Sequence, residues 1–329
     1  MIVYVDLAEA SNEAAAFRAA VSASGVNGVA LRYAPSDKTK KAEAVSDADI
    51  LVGQRFDPDV LTEAAKISWI SFWGAGLETA VTVALRERIA RGLIVTNASG
   101  VHGPNIAEHV LAMMLAFTRR LPFYFRAQQA GVWKHDEETD RIEELAGQTL
   151  GIVGLGRIGD ALAKRARAFG MRVVGVKRDV TQRHDPSSPV DHLYRLADLH
   201  LLLAESDHVC IALPSTAETH HLINADRFAQ MKKTARLYNI ARGAIVDEEA
   251  LVRALDETAI AGAGLDVFEE EPLAPSSPLW KMENVILTPH VSGVTPHYFE
   301  RAAAIFGQNL ALFARSETLR NRFDPSRGY

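Results

Sequence analysis

Arg242, the carboxylates Glu269, Glu270 and Glu271, and His290 are the residues of this sequence best placed to do chemistry together. Each follows an apolar run that reads as a strand. The run 236–240 leads into Ala241-Arg242-Gly243, and 285–287 leads into Thr288-Pro289-His290. Between them, 261–265 leads into Asp266-Val267-Phe268-Glu269-Glu270-Glu271-Pro272. In open α/β sheets ligands bind outside the carboxyl ends of the strands, so one edge would receive an arginine, a carboxylate and a histidine. An arginine binds a carboxylate bidentately and polarises the neighbouring carbonyl. A histidine, with an ordinary pKa of about 6.5, supplies or removes a hydroxyl proton near neutrality. A carboxylate beside it favours the protonated ring and orients it. The set suits hydride transfer to a 2-oxo acid. Plainer readings stand beside this one: a solvated acidic loop at 269–271, a structural His290, and an Arg242 paired with some carboxylate.

Hydride transfer needs a carrier, and the chain offers a place for one. Gly154-Leu155-Gly156-Arg157-Ile158-Gly159 stands between the strand pattern Thr149-Leu150-Gly151-Ile152-Val153 and a helical stretch from Asp160 to Phe169. Ile158, Leu162, Ala166 and Phe169 share one face of that helix, Gly170 suits its end, and a second strand, 172–176, follows directly. Strand, glycine turn, helix and strand make the unit that binds a dinucleotide pyrophosphate. The first glycine permits the turn, the second admits the phosphates, and the third lets helix and strand pack closely. The helix N-terminus offers N–H groups to the anion. The alternative is an ordinary tight turn.

These sites need elements to position them. About 150 residues precede the glycines and form an α/β unit of their own, with strand-like runs at 2–5, 29–33, 50–52 and 67–72. Helical segments such as 12–22 and 58–65 lie between them. A long helix runs from Pro104 to about Arg120, with an apolar stripe of Ala107, Val110, Leu111, Met114 and Leu115, and could bridge two domains. Pro122 should end or kink it. Strand patterns recur at 172–176, 208–213, 236–240, 260–265 and 285–287, and a last helix spans Tyr298 to about Ala314. The expected fold is α/β in two domains. A Rossmann, doubly wound dinucleotide-binding domain, 100–290, would be inserted into a smaller flavodoxin-like substrate-binding domain formed by 1–99 and 291–329.

The 329 residues, with 48% hydrophobic and 23% charged, describe an ordinary globular protein long enough for two domains. A formal charge of −5 argues against nucleic acid or anionic membrane as the main partner. No apolar stretch reaches the roughly 20 residues of a membrane span, and the first residues read as a strand rather than a signal peptide. The cytoplasm is the simplest compartment. Cys210, the sole cysteine, lies in an apolar run and reads as a packed thiol. His102 and His109 lack partners at metal-ligand spacing, so no metal is expected. His220 and His221 read as surface. Trp133 reads as an interface or core anchor.

Four stretches together resemble the D-isomer-specific 2-hydroxyacid dehydrogenase family: Gly151–Gly159, Asn239–Glu248, Gly264–Pro272 and Thr288-Pro289-His290. Asn105-Ile106-Ala107-Glu108-His109 on the long helix extends the match nearly end to end. The resemblance implies that Arg242 orients the substrate and that His290 is the acid/base. The family's catalytic glutamate immediately precedes the proline, which selects Glu271. Asp266 matches the aspartate that contacts the nicotinamide amide, and further cofactor contacts are expected at Leu213, Pro214, Ala241 and Gly293. The family implies a dimer through the dinucleotide domain and backbone amides that hold the substrate carboxylate. Trp73-Gly74-Ala75-Gly76 stands where those amides should be. Phe72 and Trp73 would wall the pocket or simply pack, and domain closure would exclude water. Glyoxylate and hydroxypyruvate are reasonable substrates. Two rival roles arise from the same resemblance. A non-enzymatic nucleotide-sensing corepressor keeps the same polar trio, whereas formate dehydrogenases replace the acid partner by glutamine, against Glu271.

The expected departure concerns the cofactor. NAD-binding folds carry an acid at the end of the second strand for the ribose 2′-OH. Here that strand ends Val176-Lys177-Arg178, a basic pair that would attract a 2′-phosphate. NADP(H) is therefore favoured, while Asp179, one or two positions late, keeps NAD(H) open. A solvated turn is the plain reading of Lys177 and Arg178.

Overall fold

The computed structural model describes residues 1–37, 40–77, 80–135, 137, 139–177 and 188–325. The chain divides into two compact units, Met1–Val101 with Thr295–Tyr329, and His102–Val294.

The first unit holds five parallel strands, β1 (Ile2–Val5), β2 (Ala30–Tyr33), β3 (Ile50–Gly53), β4 (Trp69–Phe72) and β5 (Ile94–Thr96), in the order β2-β1-β3-β4-β5. That is the flavodoxin-like strand order. Parallel strands are covered on both faces, so β3 and β4 are buried at every position. On one face the helix Asn12–Ala23 packs on the final helix, Tyr298–Ala314. Ser11 caps the first of these, its Oγ accepting from Ala14 N–H at 3.0 Å. The helices approach so closely that a Cβ on Gly307 would lie 2.7 Å from the Ala20 carbonyl oxygen. Trp69 is fully buried beneath them, 5.2 Å from Phe306 between ring centres, with its indole N–H on Thr96 Oγ1 at 2.9 Å. Truncating it to alanine would cost about 3–5 kcal/mol.

The second unit holds seven parallel strands in the order β12-β11-β10-β9-β6-β7-β8. They are β6 (Thr149–Val153), β7 (Arg172–Val176), β8 (His192–Tyr194), β9 (His208–Ile211), β10 (Arg236–Asn239), β11 (Gly262–Leu265) and β12 (Val285–Leu287). The order reverses between β6 and β9, the switch point of a doubly wound Rossmann sheet. The helix Arg157–Ala168 buries Leu162, Ala163 and Ala166. Phe169 departs from the expected apolar face: it is the residue after the last turn and is 42% exposed. The helix Gly103–Thr118 lies wholly within this unit, against the helix Arg157–Ala168 and β11. Pro122 neither ends nor kinks it. The helix stops at Thr118, Arg120 turns left-handed at φ +56°, and Pro122 sits in the first turn of the next helix, Leu121–Gln129. Cys210 is fully buried, and burial pushes its thiol pKa up to about 12, as suits a core residue. Among the described residues no helix is long and apolar enough to cross a membrane, and no group of three or more metal-ligating side chains gathers.

Candidate active site

At the carboxyl end of β6 the three glycines have three different physical reasons. Gly154 adopts φ +108°, and a Cβ there would come within 2.7 Å of Leu213 backbone N. The turn is thus pressed against the chain leaving β9, with Pro214 just beyond it. At Gly159 a Cβ would lie 2.6 Å from the Gly154 carbonyl oxygen, which closes helix onto strand. Around Gly156 a Cβ would meet nothing within 4 Å. That glycine is also the N-cap and offers no capping side chain, so the first-turn N–H groups at Ile158 and Gly159 face an open cradle. A backbone cradle with one open side fits a pyrophosphate. Arg157 is exposed at its rim. Lys177 is exposed immediately after β7, where its N–H donates to the Tyr194 carbonyl at 3.2 Å. Arg178 and Asp179 lie outside the described residues.

The three polar strand ends stand on adjacent strands, β10, β11 and β12. Asn239 closes β10 and fixes the turn after it: its Oδ1 accepts from Ala241 N–H at 3.1 Å and its Nδ2 donates to the Arg242 carbonyl at 3.0 Å. Arg242 is exposed, with Nη1 donating to the Ala241 carbonyl at 2.7 Å. A Cβ on Gly243 would fall 1.9 Å from the backbone of Phe268. Only glycine lets the arginine turn lie flat on the loop that carries the glutamates.

Glu271 is the one of the three that reaches the histidine. His290 Nδ1 lies 2.8 Å from Glu271 Oε2, while Glu271 Oε1 accepts from Phe268 N–H at 3.1 Å. Both side chains remain partly open, 49% and 37% exposed. Glu269 is not a free solvated charge. Its Oε1 pairs with His221 Nε2 at 2.5 Å and accepts from Glu248 N–H at 3.4 Å, and Glu248 Oε2 accepts from Glu269 N–H at 3.2 Å. Burial raises the Glu248 pKa. His221 is accordingly a loop fastener rather than the plain surface residue its polar segment suggests.

Asp266, the expected nicotinamide contact, is set among donors. Its side chain is fully buried, and its oxygens accept from Val291 N–H at 2.9 Å, Ser292 N–H at 3.0 Å and the Thr288 hydroxyl at 2.5 Å. These three donors all belong to the loop around His290, and His109 Nε2 on the long helix lies 3.9 Å from Asp266 Oδ1. That loop needs holding, since His290 takes φ +53°, a left-handed conformation unfavourable for a residue with a side chain. The long helix contributes too: His102 meets the Gly293 carbonyl and Asn105 that of Ser292. No expectation from the sequence assigns His102 and His109 this role of supporting the His290 loop. The signal for their supporting role is the spacing 102, 105, 109, which puts all three on one helix face.

In the first unit, Trp73 and Phe72 both make packing contacts, the second of the two readings open for them. Trp73 lies 6.0 Å from Phe17 and 5.7 Å from Phe299 between ring centres, and Phe72 packs on Phe56. Gly74 is held against Gln54, where a Cβ would clash at 2.8 Å. The carbonyls of Gly74 and Ala75 accept from Ala98 N–H at 3.1 Å and Asn97 Nδ2 at 2.9 Å. Gly76 is exposed. Trp133 is 90% exposed, which removes the core reading and leaves that of an interface anchor.

Comparison with known proteins finds relatives over nearly the whole chain. Residues 111–292 match the model of the D-isomer-specific 2-hydroxyacid dehydrogenase NAD-binding domain. The chain is 39% identical over 289 residues to a glyoxylate reductase of Korarchaeum cryptofilum, covering 86% of this chain and 85% of the relative. A D-isomer-specific 2-hydroxyacid dehydrogenase family protein from Aeromonas salmonicida superposes with a TM-score of 0.80 at 31% identity, covering 98% of both chains. A D-isomer-specific 2-hydroxyacid dehydrogenase from Xanthobacter autotrophicus, solved with NADPH and MES, gives 0.78 at 29% identity, covering 100% of this chain and 99% of that one.

Proposed function

The chain belongs to the D-isomer-specific 2-hydroxyacid dehydrogenase family, and on that premise we propose an NADP(H)-preferring reductase of small 2-oxo acids. It would act reversibly on D-2-hydroxy acids, with glyoxylate and hydroxypyruvate as the first candidates. When bound, the nicotinamide supplies or accepts the hydride at C2. The observation that carries the reading is the 2.8 Å contact between His290 Nδ1 and Glu271 Oε2, beside the exposed Arg242. A carboxylate only accepts, so Nδ1 carries the proton and Nε2 is the nitrogen that exchanges one with the substrate oxygen. Glu271 also steadies the protonated ring. Arg242 would clamp the substrate carboxylate in its planar fork and polarise the adjacent carbonyl.

The remaining assignments rest on the same chemistry. The unit His102–Val294 would take the dinucleotide in the glycine cradle, with contacts from Leu213, Pro214, Ala241, Asp266 and Gly293. The exposed Lys177 favours a 2′-phosphate, and the Xanthobacter relative was solved with NADPH. The turn Gly74–Gly76 of the other unit would offer its amides to the substrate carboxylate. Self-association as a dimer is supported by the exposed Trp133, with Val132 and Phe125 48% and 56% exposed nearby in sequence. Its check is solution mass before and after Trp133→Glu, with the dimer lost in the variant.

The deciding experiment follows NADPH and NADH oxidation side by side against a panel of 2-oxo acids. Faster turnover with NADPH supports both the chemistry and the role of Lys177. Faster turnover with NADH keeps the chemistry and refutes the cofactor preference. Tight cofactor binding without turnover would move the assignment to a nucleotide sensor.

A further inference from the structure

His102, Asn105 and His109 occupy one face at the start of the helix Gly103–Thr118, and all three reach the loop Thr288–Gly293 that contains His290. The His102 ring nitrogen Nδ1 is 2.9 Å from the Gly293 carbonyl oxygen, and Asn105 Nδ2 donates to the Ser292 carbonyl at 2.7 Å. His109 Nε2 lies 3.0 Å from Thr288 Oγ1 and 3.9 Å from Asp266 Oδ1. The Thr288 hydroxyl has one proton, which it donates to Asp266 Oδ1 at 2.5 Å. It can therefore only accept from the ring, and His109 must carry a proton on Nε2. Asp266, at the far end of this chain, also accepts from Val291 and Ser292 N–H, while its backbone carbonyl takes His290 N–H at 2.8 Å. The sequence His109, Thr288, Asp266 thus ends on both sides of the left-handed residue.

We propose that His109 is a positioning residue for the proton-transferring pair, acting through Thr288 and Asp266 on the backbone of His290. This rests on the assignment of His290 as the proton carrier. A left-handed histidine persists only where its surroundings over-determine it. The histidine must also meet Glu271 on one side and a substrate oxygen on the other, and a displacement of about 1 Å in such a geometry lowers turnover on the order of a hundredfold. Losing one hydrogen bond at the outer end of the chain should loosen the loop rather than displace it, so a smaller effect is expected. Charge on His109 is not required, because its Nε2–H is present in either protonation state of the matching tautomer.

The test uses the intact protein and compares His109→Leu, His109→Gln, Thr288→Val and the double variant His109→Leu/Thr288→Val, with His290→Ala as the control. Glutamine places an amide donor near the position of Nε2. His109→Leu should lower kcat about tenfold, leaving KM for the 2-oxo acid and NADPH affinity by fluorescence within about twofold, and His109→Gln should recover most of the loss. The losses of the two single variants should combine to much less than their sum in the double variant, because the two side chains act on the same carboxylate. A His109→Leu enzyme with unchanged kcat, beside an inactive His290→Ala, would overturn the inference and leave the acid–base assignment standing. Additive losses in the double variant would overturn it too, as would a fall in melting temperature and activity together that glutamine does not repair. If leucine prevents folding, the His109→Gln and Thr288→Val pair decides by the same criterion. Turnover retained in His290→Ala would remove the acid–base assignment and this inference with it.

Discussion

The two ends of the seven-stranded sheet use similar residues to opposite ends. Where the strands begin, polar side chains are matched to one another. His208 Nε2 meets Gln148 Oε1 at 2.6 Å and its Nδ1 meets the Tyr238 hydroxyl at 2.9 Å, with both rings fully buried. Arg236 pairs with Glu143 at 2.8 Å and covers the Phe117 ring, and Asp207 takes both Thr149 N–H and Lys232. Where the strands finish, Arg242, Glu271 and His290 are exposed, and two turns there, at Gly154 and His290, take positive φ. A fully buried acid at that end, Asp266, holds the loop that presents His290. A histidine whose two nitrogens both meet the chain inside the core is part of the fold. His290 instead has one nitrogen on a carboxylate in an exposed turn, which suits the acid–base role proposed for it. Strain is carried at the second end and saturation at the first.

The widest separation of the two ends should come from Arg242→Ala. Turnover of the 2-oxo acid should fall on the order of a thousandfold, the range seen when one transition-state partner is removed. NADPH affinity should be kept, and the melting temperature should move by no more than about 1 °C. Turnover close to the parent's would break the mechanism, and a large loss of stability would place Arg242 with the structural residues of the other end.

Acid should act on the opposite end. Burial is the main reason the His208 pKa is pushed down to about 4, with the positive charge of Arg236 adding to it. In the unfolded chain the ring returns to about 6.5. Between those values the unfolded chain holds a proton that the folded chain lacks, so stability is full above about pH 6.5 and declines as pH falls towards 4. The whole decline amounts to about 3 kcal/mol. Urea midpoints measured from pH 7 to 4.5 should show it, and His208→Gln should flatten that limb. An equally steep limb in the variant would assign the acid sensitivity to other groups.

Much of both ends was readable in the residues, for different reasons. Buried parallel strands leave continuous apolar runs, so β1, β3 and β7 are plain in the sequence. Three-residue strands with mixed burial leave almost no pattern, and β5 and β8 escaped for that reason. The glycine turn was legible because sterics at Gly154 and Gly159 admit nothing larger, and Arg242, Glu271 and His290 because each follows a strand. The supports were hidden. His109 and Thr288 are 179 residues apart, and no local periodicity reports a hydrogen bond over that distance. His221 and Glu269 are 48 residues apart, each in a segment that alone reads as solvated. Phe169 misled because a helical period takes no account of where the helix stops.

A milder contrast concerns ion pairs. Arg236→Met should destabilise the protein by about 2 kcal/mol with turnover unchanged, because Arg236 is nearly buried while Glu143 keeps some water. A change in turnover without a change in stability would remove Arg236 from the structural end.

The smallest effect should come from the pair that fastens the Glu271 loop. His221 and Glu269 are 39% and 37% exposed, so water and salt screen them, and such pairs contribute less than about 1 kcal/mol. The loop is also held from its other side, since the backbone of Phe268 lies directly against Gly243. His221→Ala should therefore leave stability nearly unchanged and lower kcat only about twofold, because Glu271 keeps its bond from Phe268 N–H. The loss should shrink further as ionic strength rises. A tenfold loss insensitive to salt would mean that the exposed pair governs Glu271 as firmly as buried Asp266 governs its own loop, and exposure would then cease to separate fasteners by strength.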